Sequence, residues 1–324
     1  MSIKLISKHR SALMAVAMFW IALEHSYFPV HNKLISFVFV KCGYGGVSLF
    51  AFLSAFGLYY SYKKDSNYLH FIKRRLLKIL PYSIPMGFIY AYFYEDSLFH
   101  GFVDGFGLSL LFRANLTNWF TSFILFVYFV TPLYLKIFNK KPLLVTVISI
   151  IIVTFVCLFC DVSWDFRYVW FHLTICCMGF YFAYLNDLDI KINYTYMCIF
   201  FCLFLFGWVL MYYLYHNWGN DIKHIYPMFF ITPGMILACA YLLDKMGFVT
   251  NVLKKIGAYT YQFYLIHRPL VIYLLYKNYM LFYIQGINFD FWINVVAMII
   301  AYILSVIYKK TIDLLINRKE IKNT

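Results

Sequence analysis

The chain has 324 residues, of which 63% are apolar, 13% are charged and 23% are aromatic. Soluble proteins are about one quarter charged and a little under half apolar. This composition excludes a soluble enzyme, a disordered protein and a nucleic-acid-binding domain, and it indicates an integral membrane protein. The net charge of +14 agrees with that class, because membrane proteins collect Lys and Arg in their cytoplasmic loops.

Ten apolar runs approach the length of a transmembrane helix, which needs about 20 predominantly apolar residues. The first run follows three basic residues, as in a signal peptide, but no A-x-A cleavage site follows, and Glu24 and His25 interrupt it. We therefore predict an all-α, polytopic membrane protein with about ten transmembrane helices in a single membrane-embedded domain, residues 1–324. The runs are roughly 11–30, 43–62, 80–95, 118–135, 142–160, 167–185, 193–215, 225–243, 259–278 and 289–308.

The positive charges are distributed unevenly between the loops. Most of the 28 Lys and Arg residues fall on one side when the ten runs alternate across the bilayer. Because cytoplasmic loops carry the excess of Lys and Arg, both termini are predicted to be cytoplasmic. The predicted location is the inner (plasma) membrane, with membrane lipids as partners.

Segment 64–79 combines an apolar stripe with a cluster of cations. This pattern predicts a basic amphipathic helix at the cytoplasmic interface. Two interpretations stay open: the cations bind anionic lipid headgroups, or they clamp the phosphates of a soluble polyanion such as coenzyme A. The apolar positions are Leu69, Ile72, Leu76, Leu77 and Leu80, and the cations are Lys73, Arg74, Arg75 and Lys78.

His25 is the strongest candidate for chemistry inside the membrane. It lies about 21 Å along a helix from Ser11, in the outer third of a bilayer core. A histidine can take and return a proton near neutral pH, as acyl transfer to a hydroxyl requires. The alternative is a hydrogen bond that only joins two helices. Glu24 is its neighbour but points about 100° away around the helix.

Other polar groups at membrane depth suggest a cavity. His172 and His267 are both predicted to lie within runs, and Pro269 should kink the ninth run. Polar groups and a broken helix are tolerated there where they line a cavity, which Trp119, Tyr128 and Tyr264 would share. Cys157-x-x-Cys160 lacks a second ligand pair, and no other spacing predicts a metal site.

Five stretches, spread over nearly the whole chain, resemble the motifs of acyltransferase family 3. These membrane proteins O-acylate surface polysaccharides and related glycoconjugates. The stretches occur in the family's order, which makes the combination specific. They are residues 10–26 (RSALMAVAMFWIALEHS), 45–57 (GGVSLFAFLSAFG), 71–81 (FIKRRLLKILP), Trp119-Phe120 with Tyr128 and Pro132, and 256–267 (IGAYTYQFYLIH).

The resemblance implies a reaction and a set of roles. Members are thought to take a short acyl group from acyl-CoA and to pass it to a hydroxyl of a glycan or lipid-linked glycan. For this chain the expected donor is acetyl-CoA. The family's first-helix histidine corresponds to His25, acting as general base or as a transient acyl carrier. Its basic motif corresponds to Arg75 and Lys78, as contacts to CoA phosphates. No permanently bound cofactor is implied, and a homo-oligomer is left open.

The chain also departs from the family pattern. Met14 stands where most members have Arg or Lys, and Arg10 lies one turn earlier near the same helix face. Lys78 replaces a second Arg and so loses bidentate geometry. His172 occupies the usual Arg position of a sixth-span motif. These changes put the acceptor and the acyl group in question more than the chemistry.

Two rival functions follow from the same sequence. A polysaccharide exporter or flippase without catalysis would also have ten helices and a polar cavity, but it needs neither a proton-transfer histidine nor a CoA clamp. A membrane-bound acyltransferase of the unrelated type that modifies proteins fits the order of the motifs less well.

Overall fold

The computed structural model describes residues 3–25, 33–93, 96–112, 119–160, 164–218, 225–267 and 289–322. These residues are helical almost throughout and contain no strand. The helices are α1 (Lys4–His25), α2 (Lys33–Ile35, continued by a π-helical stretch Ser36–Lys41), α3 (Gly45–Lys64), α4 (Tyr68–Phe93), α5 (Leu98–Gly105), α6 (Ser109–Phe112), α7 (Trp119–Phe138), α8 (Pro142–Phe159), α9 (Trp164–Asp187), α10 (Tyr194–Trp218), α11 (Met228–Lys245), α12 (Gly247–Gly257), α13 (260–267) and α14 (Phe289–Lys322).

Six helices of the described part are long and apolar enough to cross a membrane, and each overlaps a predicted run. The all-α prediction for a multi-pass membrane protein is therefore confirmed. The count of ten spans and the side of the termini stay predictions, because α1, α3 and α4 are more polar and much of run 259–278, with Pro269, lies outside the described residues. The six segments are Trp119–Phe138, Pro142–Phe159, Val169–Asp187, Tyr194–Asn217, Met228–Lys245 and Val295–Ile316.

Helix α3 forms the centre of the bundle, and most of its side chains are buried. It packs closely against α9 and α1 because glycines let the backbones approach. A Cβ on Gly179 would come within 2.4 Å of the Phe52 carbonyl oxygen, and one on Gly46 within 2.5 Å of the Ala17 carbonyl oxygen. Small residues at such contacts are typical of membrane helix packing. Helices α8 and α10 are mostly exposed and form the periphery.

Segment 64–79 differs from the separate interfacial helix that the sequence suggests. Its cations lie in the first half of α4, which continues through Pro81 and Pro85 as one helix. Prolines are tolerated within helices of a membrane bundle, where neighbouring groups satisfy the freed backbone. Leu69 and Leu77 are 74% and 57% exposed, whereas other apolar positions of the stripe pack inward.

Ion pairs join helix ends around the amino terminus of α1, at what we call the basic end of the bundle. Lys8 Nζ lies 2.6 Å from a carboxylate oxygen of Asp244 at the end of α11. Lys4 Nζ lies 2.8 Å from Asp189, just after α9. The Lys4 ammonium lowers the pKa of the exposed Asp189 carboxyl, mainly through this hydrogen bond. Exposed pairs contribute little stability, so burial of the helices must supply most of it.

Candidate active site

Two histidines that are far apart in the sequence meet at the carboxyl-terminal end of α1, opposite the basic end of the bundle. His25 is the last residue of α1, and His267 is the last described residue of α13. Nδ1 of His25 is 3.0 Å from Nε2 of His267, a hydrogen-bonding distance. His267 is only 1% exposed, whereas His25 is half-buried. The structure therefore pairs His25, the leading histidine candidate of the sequence, with one of the two other histidines predicted to lie at membrane depth.

The ring of His267 is held by its own helix. Its Nδ1 is 2.9 Å from the carbonyl oxygen of Phe263 and 3.1 Å from that of Tyr264. The imidazole also stacks on the Phe263 ring, with centroids 5.0 Å apart and an interplanar angle of 8°. His267 is thus held by contacts to its helix backbone and to an aromatic face.

An aromatic ladder connects this pair with the third histidine. Its centroid distances are 6.4 Å from His267 to Tyr264, 5.4 Å from Tyr264 to Phe120, 5.9 Å from Phe120 to Trp119 and 5.6 Å from Trp119 to His172. His172 is completely buried. The ladder brings together Trp119, His172, Tyr264 and His267 as predicted lining residues, and it adds Phe120, which sequence reasoning did not select because aromatic residues are so frequent here.

The two remaining predicted lining residues lie elsewhere. Glu24 faces the turn before α3, where a Cβ on Gly43 would come within 2.3 Å of its Cβ. Tyr128 follows Trp119 by nine residues, about 13 Å along α7. It lies near Arg10 and Arg75, and therefore belongs with the cations of the basic end.

Two adjoining pockets open at the basic end and share Gly57 and Tyr60. The first cation pocket has a volume of about 470 Å³ and the second about 580 Å³. Each is lined by several Lys and Arg side chains. The first is lined by Ser7, Lys8, Arg10, Ser11, Phe56, Gly57, Tyr60 and Lys254, and the second by Gly57, Tyr60, Ser61, Lys64, Arg74, Arg75, Leu77 and Lys78.

Arg10 belongs to α1, and its side chain extends to α3 at the first cation pocket. Its Nε donates a hydrogen bond of 2.9 Å to the Leu53 carbonyl oxygen. The guanidinium group lies against the backbone of Gly57, where a Cβ would come within 2.5 Å of Cζ. The position of this arginine therefore depends on a glycine one turn further along α3.

The second cation pocket concentrates positive charge on one face of α4. Arg75 donates to the Ser61 hydroxyl, and its buried Nε has no hydrogen-bond partner among the described residues. Arg74 forms a 2.8 Å ion pair with Asp65. Lys78 lies before the predicted third span; desolvation, and then the charges of Arg75, Arg10 and Arg74, lower its pKa. An anion bound here would relieve this repulsion.

Most of the predicted cations line the two pockets, and further cations that were not predicted join them. Arg10, Arg74, Arg75 and Lys78 line the pockets, whereas Lys73 is exposed and lies outside the lining of both. Lys8 and Lys254 line the first pocket, although sequence reasoning did not assign them. Ser11 Oγ donates a 3.0 Å hydrogen bond to the Lys254 carbonyl oxygen, across 243 positions of sequence. No local pattern signals a contact over that separation.

Comparison with known proteins assigns the chain to a family. The model of acyltransferase family 3, described as an acyltransferase domain, matches residues 12–309. The match includes α1 from Ala12 onward and both histidines of the pair. Neither the curated proteins nor the solved structures contain a match to the chain. Since the family model covers most of the sequence, this multi-pass membrane protein belongs to acyltransferase family 3.

Proposed function

We propose that the protein transfers an acetyl or other short acyl group from acyl-CoA to a hydroxyl of a surface or cell-envelope glycan. One observation carries this proposal. Helix α1 places Arg10 in a cation-lined pocket at one end. At its other end it places His25, which pairs with His267. Arg10 and His25 are 15 positions apart, about 22 Å along the helix. A phosphate-binding group and a candidate base are thus held on one rigid element.

The chemistry of the two cation pockets fits the donor. Coenzyme A carries a diphosphate and a separate 3′-phosphate, and phosphates bind Arg and Lys through charge-assisted hydrogen bonds. The pockets adjoin, so one ligand can place phosphates in both. The unpartnered Nε of Arg75 supplies a further donor. We infer that the basic end faces the cytoplasm, where acyl-CoA is present.

His25 is the proposed general base. It accepts the proton of the acceptor hydroxyl while that oxygen attacks the thioester carbonyl carbon. The new C–O bond forms, the C–S bond breaks, and the histidinium returns its proton to the departing thiolate of CoA. General acid–base catalysis of this kind contributes about 10²–10⁴-fold in rate.

The acceptor assignment rests on the family and on the aromatic ladder. Apolar and aromatic walls with a few placed polar groups are typical of small-molecule sites. The ladder from His267 to His172 has this composition. A glycan or lipid-linked glycan hydroxyl entering beside it would lie near His25.

The experiment compares surface polysaccharide by proton NMR in a host strain that lacks the gene. The strain is complemented with wild type, His25→Ala or His216→Ala at matched expression. His216 is an exposed histidine on α10, outside the proposed machinery. Acyl signals should return with wild type and His216→Ala and stay absent with His25→Ala. Normal acylation with His25→Ala would refute the role of His25. Loss of polymer with unchanged acylation would instead support the exporter.

A further inference from the structure

We propose that His267 is a positioning residue that holds His25 in a single tautomer, so that Nε2 of His25 is the nitrogen that takes the acceptor proton. This inference rests on the proposed function and deepens it. The transfer itself requires a base at His25. The geometry around His267 additionally assigns the reacting atom and separates the roles of the two rings.

The first step concerns the proton on His267. Its Nδ1 faces the carbonyl oxygens of Phe263 and Tyr264 at 2.9 and 3.1 Å. Carbonyl oxygens accept hydrogen bonds and cannot donate them. Nδ1 of His267 therefore carries the hydrogen. In the neutral ring the lone pair then lies on Nε2.

The second step transfers this constraint to His25. The lone pair on Nε2 of His267 lies 3.0 Å from Nδ1 of His25. A hydrogen bond at this distance requires a hydrogen on the His25 nitrogen. Neutral His25 therefore carries its proton on Nδ1 and its basic lone pair on Nε2, the opposite side of the ring.

The third step explains why the two histidines are not interchangeable. Helix α13 is anchored by the Tyr90 hydroxyl, which donates to the Leu265 carbonyl oxygen, and by a 3.2 Å hydrogen bond between Thr121 and Tyr261. His267 is buried in this anchored helix. His25 ends α1 and is half-buried. The fixed ring of His267 therefore orients the ring of His25, and the more accessible ring of His25 contacts the substrate.

The fourth step follows the charge during the reaction. The proton of the acceptor hydroxyl moves to Nε2 of His25, and the imidazolium keeps its Nδ1–H bond to neutral His267. Passing that proton on would place a positive charge on a residue that is only 1% exposed, and burial disfavours the charged form. The charge stays on His25 until the CoA thiolate takes a proton from Nε2.

The test uses two substitutions of His267 in the purified full-length protein in proteoliposomes. Gln places a carboxamide oxygen near the position of Nε2 and can still accept from His25. Phe keeps a ring but removes the acceptor, and Leu replaces Phe if the Phe variant does not fold. We expect kcat to fall about 100-fold in the Phe variant with an unchanged KM for acetyl-CoA. The Gln variant should have a kcat at least tenfold higher than that of the Phe variant.

The outcomes separate the two proposals. If the Phe or Leu variant keeps wild-type kcat while His25→Ala is inactive, the function stands and the positioning role is refuted. Equal loss in the Gln and apolar variants, or a loss confined to KM, also overturns the positioning role. If wild type transfers no acyl group from acetyl-CoA, or if His25→Ala is fully active, the proposed function itself fails.

Discussion

Gly57 and the guanidinium group of Arg10 occupy adjoining space, since a Cβ on the glycine would come within 2.5 Å of Cζ. Gly57→Ala should therefore displace Arg10 from the first cation pocket. Loss of one hydrogen bond to a charged group costs about 1.5–3 kcal/mol, so we expect KM for acetyl-CoA to rise at least tenfold. Steady-state kinetics of the reconstituted protein measures this.

The matched control is Gly247→Ala at the start of α12, where an added Cβ meets nothing within 4 Å. It should leave KM unchanged. An unaltered KM in Gly57→Ala would show that Arg10 does not contribute to donor binding.

Arg75 and Lys73 are near neighbours on α4 with opposite placements. Arg75 lines the second cation pocket, and Lys73 is exposed outside it. Arg75→Ala should raise KM for acetyl-CoA about tenfold or more, and Arg75→Lys should recover only part of the loss because Lys lacks the planar fork. Lys73→Ala should change KM less than twofold. Equal effects of the two alanine substitutions would favour general attraction of anions over a defined pocket.

The two cation pockets predict discrimination between CoA derivatives. Acetyl-dephospho-CoA lacks the 3′-phosphate and should show a KM about tenfold higher than acetyl-CoA. Lys254→Ala and Arg75→Ala perturb one pocket each. The variant that loses discrimination identifies the pocket that takes the 3′-phosphate. Equal KM values for both donors in wild type would refute the use of two phosphate sites.

Lys78 predicts a pH dependence of donor binding. Desolvation in the pocket and four neighbouring cations lower the pKa of Lys78 from the usual 10.5, so its ammonium group loses its proton earlier than that of an isolated lysine as the pH rises. CoA phosphates are already ionised above about pH 7. KM for acetyl-CoA should therefore increase as the pH approaches 10.5 in wild type. Lys78→Arg keeps its charge over this range and should show a flatter profile. Parallel profiles would exclude titration of Lys78 as the cause.

Much of the architecture can be predicted from local composition. Apolar runs of sufficient length must form helices in a bilayer, because the backbone has no other partners there. Six of the ten runs correspond to helices that are long and apolar enough to cross a membrane by themselves. The less apolar α1, α3 and α4 carry the Lys and Arg residues of the basic end, and glycines of α3 and α4, such as Gly46 and Gly87, lie at close helix contacts.

The sequence by itself determined that this is a helical membrane protein, that His25 is the leading candidate base, and that Arg10, Arg75 and Lys78 are candidate phosphate ligands. Only the tertiary structure decided that His25 pairs with His267 across 242 positions, that Tyr128 lies with the arginines, and that Lys8 and Lys254 join the first cation pocket. Hydrophobic periodicity specifies which face of a helix is buried, but not which helix it packs against. That choice depends on glycine contacts and on hydrogen bonds between distant segments.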